Sequence, residues 1–396
     1  MSVNDQSMVF VSYSRTPFGS FGGGLKDLSS IDLFEQSSRA ALKSSGLEAK
    51  DVDAVYVGNV VQSDVDSIYL ARHAALRLGC RIETPCLAVN RLCGSGFEAI
   101  AQGALALMTE DYSTVLVGGS ESMSRVPFVV REARWGSKMG NLVFEDFLLA
   151  SLTDQNVGLP MAITAENLAT QYSLTRAQCD EWALESQRRA ARAWTEGRFA
   201  SEVAPIVAGS AKKPITVDRD QHVRADASAE GLAKLKPVFK EQGVVTAGNA
   251  SGMVDGAASL LMCTESFAKS RGLKILGRLK GWASTGCDPK IMGIGPVPAT
   301  QKLLQKTSLK IEDFKRIEIN EAFAPQFLSV ARELKLDLQK CNVNGGAIAI
   351  GHPLGASGTR LVGHLLLELA RAGGGLGLAS ACIGGGQGMS VAVEVA

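Results

Sequence analysis

The chain is poor in the features that mark several large protein classes. Its eight cysteines (Cys80, Cys86, Cys93, Cys179, Cys263, Cys287, Cys341 and Cys382) contain no CxxC pair. No metal site is therefore expected, and the spacing of Cys80, Cys86 and Cys93 does not suit zinc either. Nor are the cysteines dense enough for a disulfide scaffold. Reduced thiols are expected, mostly packed as small apolar residues. No apolar run reaches the ~18 residues of a membrane helix. Neither sign of charge is in excess, with 41 basic against 40 acidic residues and a net charge of +1. That argues against the basic face of a nucleic-acid binder. Met1 to Thr16 lacks the basic end, apolar core and cleavage site of a secretory signal, and is not Arg-rich like a transit peptide. Glu394-Val395-Ala396 is not a peroxisomal address.

What remains is ordinary globular material. The 396 residues are 46% hydrophobic and 20% charged, enough for two or three domains at about 150 residues each. Val9–Tyr13 and Asp53–Val60 read as strands, and Ile31–Leu42 has helical periodicity. Strands alternating with helices point to an α/β fold with a largely buried sheet. Phe97, Ile100, Ala101, Ala104, Leu105 and Met108 form one face of a helix, and a strand at Thr114–Val117 ends in Gly118-Gly119. The C-terminal end repeats the plan. A glycine-rich loop at Gly351–Gly358 leads into a helix with Val362, Leu365, Leu366 and Leu369 on one face, followed by a strand near Leu376–Ala381 and a glycine cluster at Gly384–Gly388. Two similar α/β halves are expected from this weak repeat. Residues 125–245 break the pattern. They hold Trp135, Trp182 and Trp194, a charged helix over Arg176–Glu196 and a polar stretch, Lys212–Asp226. They read as an inserted, substrate-binding excursion.

Four segments carry chemistry. Cys93, within Asn90-Arg91-Leu92-Cys93-Gly94-Ser95-Gly96, opens a helix, where the dipole and free N–H groups favour the thiolate. A buried cysteine in a tight turn is the bland alternative. His352, in Asn344–Gly355, is the one histidine of four set between glycines on a loop; His73 and His364 fall in helical runs and read as structural. Cys382 ends a strand and enters Gly384-Gly385-Gly386, whose N–H groups suit an oxyanion. Close packing of small residues would explain the same glycines. Asn320, in Asn320-Glu321-Ala322-Phe323-Ala324, follows the strand Lys315–Ile319 and would hold a water or a carbonyl, or else cap the next helix. Together the four fit acyl transfer through a thioester, one thiol acting as nucleophile and the other as acid and base.

At these residues the sequence resembles the thiolase family. The resemblance runs from Arg15-Thr16-Pro17-Phe18-Gly19, through Asn90–Gly96, Thr246–Gly252, Asn320–Ala324 and Asn344–Gly355, to Cys382–Gly388. It implies a five-layered αβαβα fold. Residues 1–122 with 253–275 would form the N-terminal half, 123–252 an inserted loop domain that binds CoA, and 276–396 the C-terminal half. Within the family, Ser151–Gln155 and Leu159–Asn167 look most like mitochondrial 3-ketoacyl-CoA thiolases of fatty-acid oxidation. Acetoacetyl-CoA thiolases tend to have His-Met-Gly where this chain has Pro160-Met161-Ala162.

The resemblance also implies roles. His352 takes the proton of Cys93, whose thiolate attacks the 3-keto carbon. Cys382 protonates the leaving acetyl-CoA enolate and later deprotonates incoming CoA. One oxyanion hole would lie at His352 and a water held by Asn320, the other at the N–H groups of Cys93 and Gly384. Arg224 and Ser251 match residues that touch CoA in the family. Related enzymes carry a threonine where this chain has Ala227, and Ser228 would stand in for its hydroxyl. CoA is a substrate here, so no cofactor is implied. A homodimer or homotetramer is expected, with a mitochondrial matrix location or, alternatively, a cytoplasmic one, and no obvious cleavable presequence. Three other readings stay open: an acetoacetyl-CoA thiolase, a ketoacyl synthase of the same fold, and a non-catalytic lipid carrier. The presence of Cys93, His352 and Cys382 together weighs against the last two.

Overall fold

The computed structural model describes residues 7–210 and 212–396; the first six residues of the N-terminal segment read above as leaderless lie outside these. The chain begins with β1 (Met8–Arg15), a short β2 (Gly19–Ser20), α1 (Ser30–Ser45), β3 (Ala54–Gly58), α2 (Leu70–Leu78), β4 (Cys86–Val89), α3 (Ser95–Met108) and β5 (Thr114–Glu121). A less regular stretch follows. It holds the hairpins β6 (Phe128–Val129) with β7 (Glu145–Asp146), β8 (Thr153–Asp154) with β9 (Leu159–Pro160) and β10 (Ile206–Ser210) with β11 (Lys213–Val217). Between them run α4 (Phe147–Ser151), α5 (Met161–Gln171) and α6 (Arg176–Thr195), and α7 (Ala229–Ala233) comes after. The chain then returns with β12 (Val254–Thr264), α8 (Glu265–Ser270), β13 (Gly277–Gly286), α9 (Pro296–Thr307), β14 (Phe314–Ile319), α10 (Ala324–Glu333), α11 (Ala347–Ile350), α12 (Leu354–Arg371), β15 (Gly375–Ile383) and β16 (Gln387–Val395).

The local signals explain several of these boundaries. In α1, Ser29 and Asp32 form a reciprocal capping box, and Gly46 closes the helix in the left-handed conformation. Strand β12 is buried along its whole length, as expected of a strand with a helical layer on each face. Two expectations need correction. The strand placed at Thr114–Val117 continues through Gly118-Gly119 to Glu121, and α12 starts at Leu354, inside the stretch read as a glycine loop. In both places glycine serves close packing rather than a turn.

The main sheet runs β14-β15-β16-β13-β1-β12-β5-β3-β4, with β2 pairing to β12. Among the described residues, its two parts pair where Val9 and Phe10 of β1 meet Arg278 and Gly277 of β13. Helices α1 and α2 cover one outer face, α9 the other, and α3 and α12 pack between the two parts. The result is five layers. The middle layer is apolar on both sides: Phe97, Ile100 and Leu107 of α3 and Leu361, Leu365 and Leu369 of α12 share one core with Val115, Val117, Leu260 and Val391. Each such side chain contributes roughly 1.5–3 kcal/mol on full burial.

The excursion over 123–252 packs against both parts. Ile206, Ala208 and Val217 join the core beneath α1 and α2, while α6 lies on α10 and α11. A buried ionic network fastens it. Arg15 of β1 bonds Glu202 at 2.7 Å and Asp220 at 2.7 and 2.9 Å, and Glu202 bonds His364 of α12 at 2.8 Å. Burial pushes the Glu202 pKa up, but His364 and Arg15 outweigh it and hold the carboxyl at about 2. Burial lowers His364, and Glu202 more than reverses that.

The sign of the pH effect follows. Glu202 contributes stability above its ordinary 4.5 that is lost as pH falls through about 2. His364 contributes below its ordinary 6.5, and the gain is lost as pH rises through its folded value. Glu202→Gln removes one partner of a buried pair and is expected to cost about 3–5 kcal/mol. Urea unfolding near mildly acidic pH measures it; a loss within experimental error would show that the network does not hold the layers together.

Candidate active site

Of the residues singled out from the sequence, His352 lies beside Asn320 and Cys93 lies near Cys382, while Arg224 and Ser228 line a cavity beside α7. Cys93 lies two residues before α3. Leu92, beside it, has φ +47°, a left-handed conformation costly for a branched side chain. The turn is held by its neighbours. Leu92 N–H donates to Asn90 Oδ1 at 2.9 Å, Ser95 Oγ donates to the Leu92 carbonyl at 2.7 Å, and Arg91 N–H donates to Ser95 Oγ at 2.9 Å. Arg91 also reaches Gln387, past the glycine turn of the other half, at 3.4 Å. The Cys93 side chain packs against the small cluster of Met123, Leu148 and Leu354, as do Val60, Val126 and Leu152.

The expected thiolate stabilisation at Cys93 does not prevail. Burial pushes the thiol up to about 11, the N–H of Gly384 and its own N–H draw it down, and Glu121 raises it further. The helix start is there, but desolvation outweighs it. The contact with Gly384 sets that glycine's N–H against the sulfur.

His352 occupies the turn between α11 and α12 and is buried. Its Nδ1 lies 2.5 Å from Ser357 Oγ, which donates to the Pro353 carbonyl at 3.0 Å. A hydroxyl that spends its proton on a carbonyl must accept from the ring. The Nδ1 therefore carries the proton and Nε2 is bare. On that side Asn320 Nδ2 lies at 3.3 Å. Burial, then Arg360, holds the imidazole down at about 3, so it is neutral. Asn320 is fixed by its N–H on the Ser380 carbonyl at 2.8 Å, and its Oδ1 is buried with no protein partner.

Cys382 lies in β15, one residue from its end, packed among Met292, Ala322, Met161 and Phe323. Burial raises its thiol well above the ordinary value, and the nearby Cys93 and Cys287 thiols raise it further. All eight cysteines are unpaired.

A cavity of about 440 Å³ opens beside α7. Arg224, Ser228, His222, Gln187 and Asp226 line it. Ser228 caps α7, accepting from Gly231 N–H at 3.1 Å, so its hydroxyl proton stays free for another acceptor. Arg224 is anchored through its own N–H on Gln187 at 2.7 Å. Ser251 is not on this lining; it bonds the Ala322 carbonyl at 2.9 Å, near the Cys382 packing. Sequence reasoning missed Ser357 and Glu121. Ser357, five residues after the histidine, and a glutamate closing an apolar strand were the available signals.

Comparison with known proteins decides the family. The thiolase N-terminal domain model matches residues 8–266, and the thiolase C-terminal domain model matches residues 273–395.

The chain belongs to the thiolase family.

The human mitochondrial 3-ketoacyl-CoA thiolase is 50% identical over 385 residues, 97% of each chain. The crystal structure of that human enzyme in complex with CoA matches with a TM-score of 0.96 at 49% identity, covering 99% of this chain and 98% of that one. An acetyl-CoA acetyltransferase from Bacillus anthracis matches at 0.96 and 41% identity, with 98% of both chains covered. The thiolase fold, with helices between and outside the two sheet parts, is thus shared in full, and the chain is an acyltransferase of this family.

The Ser357 bond gives a test of the thiolase histidine. Ser357→Ala leaves a buried N–H without its acceptor, a penalty of about 1–3 kcal/mol, or roughly tenfold to a hundredfold in kcat, with KM little changed. An unaltered kcat would remove Ser357 from the orientation of His352.

Proposed function

We propose that this chain cleaves 3-ketoacyl-CoA with CoA to give acetyl-CoA and a shortened acyl-CoA, reversibly, as a step of fatty-acid β-oxidation. The observation that carries the reading is the Cys93 thiol facing the Gly384 N–H and the Cys382 thiol across the boundary between the halves. Full-length similarity to mitochondrial 3-ketoacyl-CoA thiolase supports the substrate class and, with it, a mitochondrial location.

The resting pair is a neutral thiol and a neutral imidazole, because burial disfavours charge on both. Proton transfer from Cys93 to His352 Nε2 therefore accompanies attack of the sulfur on the 3-keto carbon rather than preceding it. The C2–C3 bond breaks, Cys382 gives its proton to the acetyl-CoA enolate, and the acyl group stays on Cys93. Incoming CoA then loses its thiol proton to Cys382, its sulfur attacks the thioester, and Cys93 leaves with the proton held by His352. The Gly384 N–H stabilises the oxyanion formed at the thioester. The buried, unpartnered Oδ1 of Asn320 supports its role in holding a water near the His352 side.

On this reading the α7 cavity takes CoA, with Arg224 near its phosphates and Ser228 donating to it, while Ser251 lies toward the reacting thiols. The resemblance puts the domain boundaries at 122/123, 252/253 and 275/276, and the return of the chain to the sheet at β12 supports the second. The family resemblance supports a homodimer or homotetramer.

Two tests address the reading. Quenching with a 3-ketoacyl-CoA in the absence of free CoA should leave the acyl group on Cys93, as read by peptide mass spectrometry. Cys93→Ser should show no adduct, and Cys382→Ser should be acylated from a simple acyl-CoA yet turn over very slowly. An adduct on Cys382 alone would reverse the roles. Rates over a series of acyl lengths belong to the same experiment: turnover confined to acetoacetyl-CoA would transfer the chain to the acetyl-CoA acetyltransferases. For the cavity, Arg224 is exposed and its charge is screened, so Arg224→Ala should raise the KM for CoA only about two- to fivefold, with kcat nearly unchanged. An identical KM would take Arg224 out of the CoA site.

A further inference from the structure

Glu121 closes β5 and has no part in the steps above. Its side chain is fully buried. It accepts hydrogen bonds from Val60 N–H at 3.1 Å, Val61 N–H at 2.9 Å, Asn59 Nδ2 at 3.2 Å and Gly355 N–H at 2.8 Å. The first three donors follow β3, in the half that carries Cys93. The fourth stands three residues beyond His352, in the first turn of α12. An ionised carboxylate offers about four acceptor positions and no donor, which no neutral side chain matches. Leu354, next to Gly355, packs in the same apolar cluster as Cys93.

The place of Glu121 in the fold is equally specific. It pairs with Gly256 of β12, as Cys382 pairs with Gly388 of β16. Each strand follows an inner helix, α3 or α12. Glu121 is the last residue of its strand, and Cys382 the last but one of its own.

We propose that Glu121 is a positioning residue whose carboxylate clamps the His352 turn onto the Cys93 side of the site. The inference rests on the assignment of Cys93 and His352 to the chemistry. Burial raises the Glu121 carboxyl to about 7, against the pull of the Val61, Gly355 and Val60 N–H groups, and Asp255 of β12 raises it further. Two other titratable groups lie close by. Cys93 sits ahead of α3, pushed up to about 11, and His352 ahead of α12, held at about 3, so neither titrates near neutrality. A proton on Glu121 turns one acceptor into a donor and releases part of the clamp, so activity falls as pH drops through about 7.

The experiment uses the full chain with Glu121→Gln and Asp255→Asn, and Cys93→Ser and His352→Ala as references, in thiolysis assays from mildly acidic to alkaline pH. Glu121→Gln should lower kcat about a hundredfold, the scale of a small misplacement of a reacting group, with KM for CoA unchanged. It should also abolish the acid limb of the wild-type profile. Asp255→Asn removes a like charge and should move that limb to lower pH. Wild-type kcat and an unchanged acid limb in Glu121→Gln would overturn the clamp. If that variant fails to fold, Asp255→Asn decides, and an unmoved limb overturns it. Full activity in Cys93→Ser or His352→Ala would overturn the assignment of the reacting groups and the clamp with it. Inactivity there, beside an unaffected Glu121→Gln, overturns the clamp alone.

Discussion

Everything at the site depends on how closely α3 and α12 approach at their N-terminal ends. A Cβ on Gly96 would come within 2.5 Å of the Thr359 nitrogen, and one on Gly119 would overlap the Gly355 carbonyl oxygen. Only hydrogen at these positions lets the two inner helices and the ends of β3 and β5 converge. The turns that precede the helices are thereby brought together, and those turns carry Cys93 and His352. Neither half holds a complete site. Cys93 comes from one and His352, Asn320 and Cys382 from the other, so on the proposed assignment the contact between halves is a condition of catalysis as well as of stability.

Burial then sets the electrostatics. It pushes the Cys93 and Cys382 thiols up and the His352 imidazole down, leaving a resting site without charge on any reacting group. The cost is that no thiolate waits for substrate. The gain is a dry environment in which the Gly384 N–H acts on developing charge with little screening. One buried ionic network, Arg15 with Glu202, Asp220 and His364, serves the joint between β1, the excursion and α12.

Periodicity and motif placed most of this. The inner helices, the strand before Asn320 and the turns at Cys93 and His352 all stood in the sequence, because apolar spacing and glycine-bounded nucleophiles are local signals. What escaped is non-local. Gly118-Gly119 and Gly355 read as punctuation, yet they lie within a strand and a helix because a second backbone passes beside them. The Cys93 thiol looked activated by its helix, since a sequence shows the helix but not the depth at which the sulfur is buried. Ser357 and Glu121 went unremarked for the same reason: their meaning lies in partners far along the chain, or in the direction of one hydroxyl proton.

The two halves share a plan and divide the work unequally. Each has an inner helix entered through a turn that bears a reactive group, and a following strand whose end lies beside the same site. At the helix entrances stand a thiol and an imidazole. At the strand ends, opposite Gly256 and Gly388, stand a carboxylate and a thiol. A symmetric pair of thiols at the entrances would give two nucleophiles and no base, and two carboxylates at the strand ends would bring like charges together in a dry space. The asymmetry puts groups of different chemistry around one site. One carboxylate suffices because it bonds backbone on both sides, Val60 and Val61 in one half and Gly355 in the other.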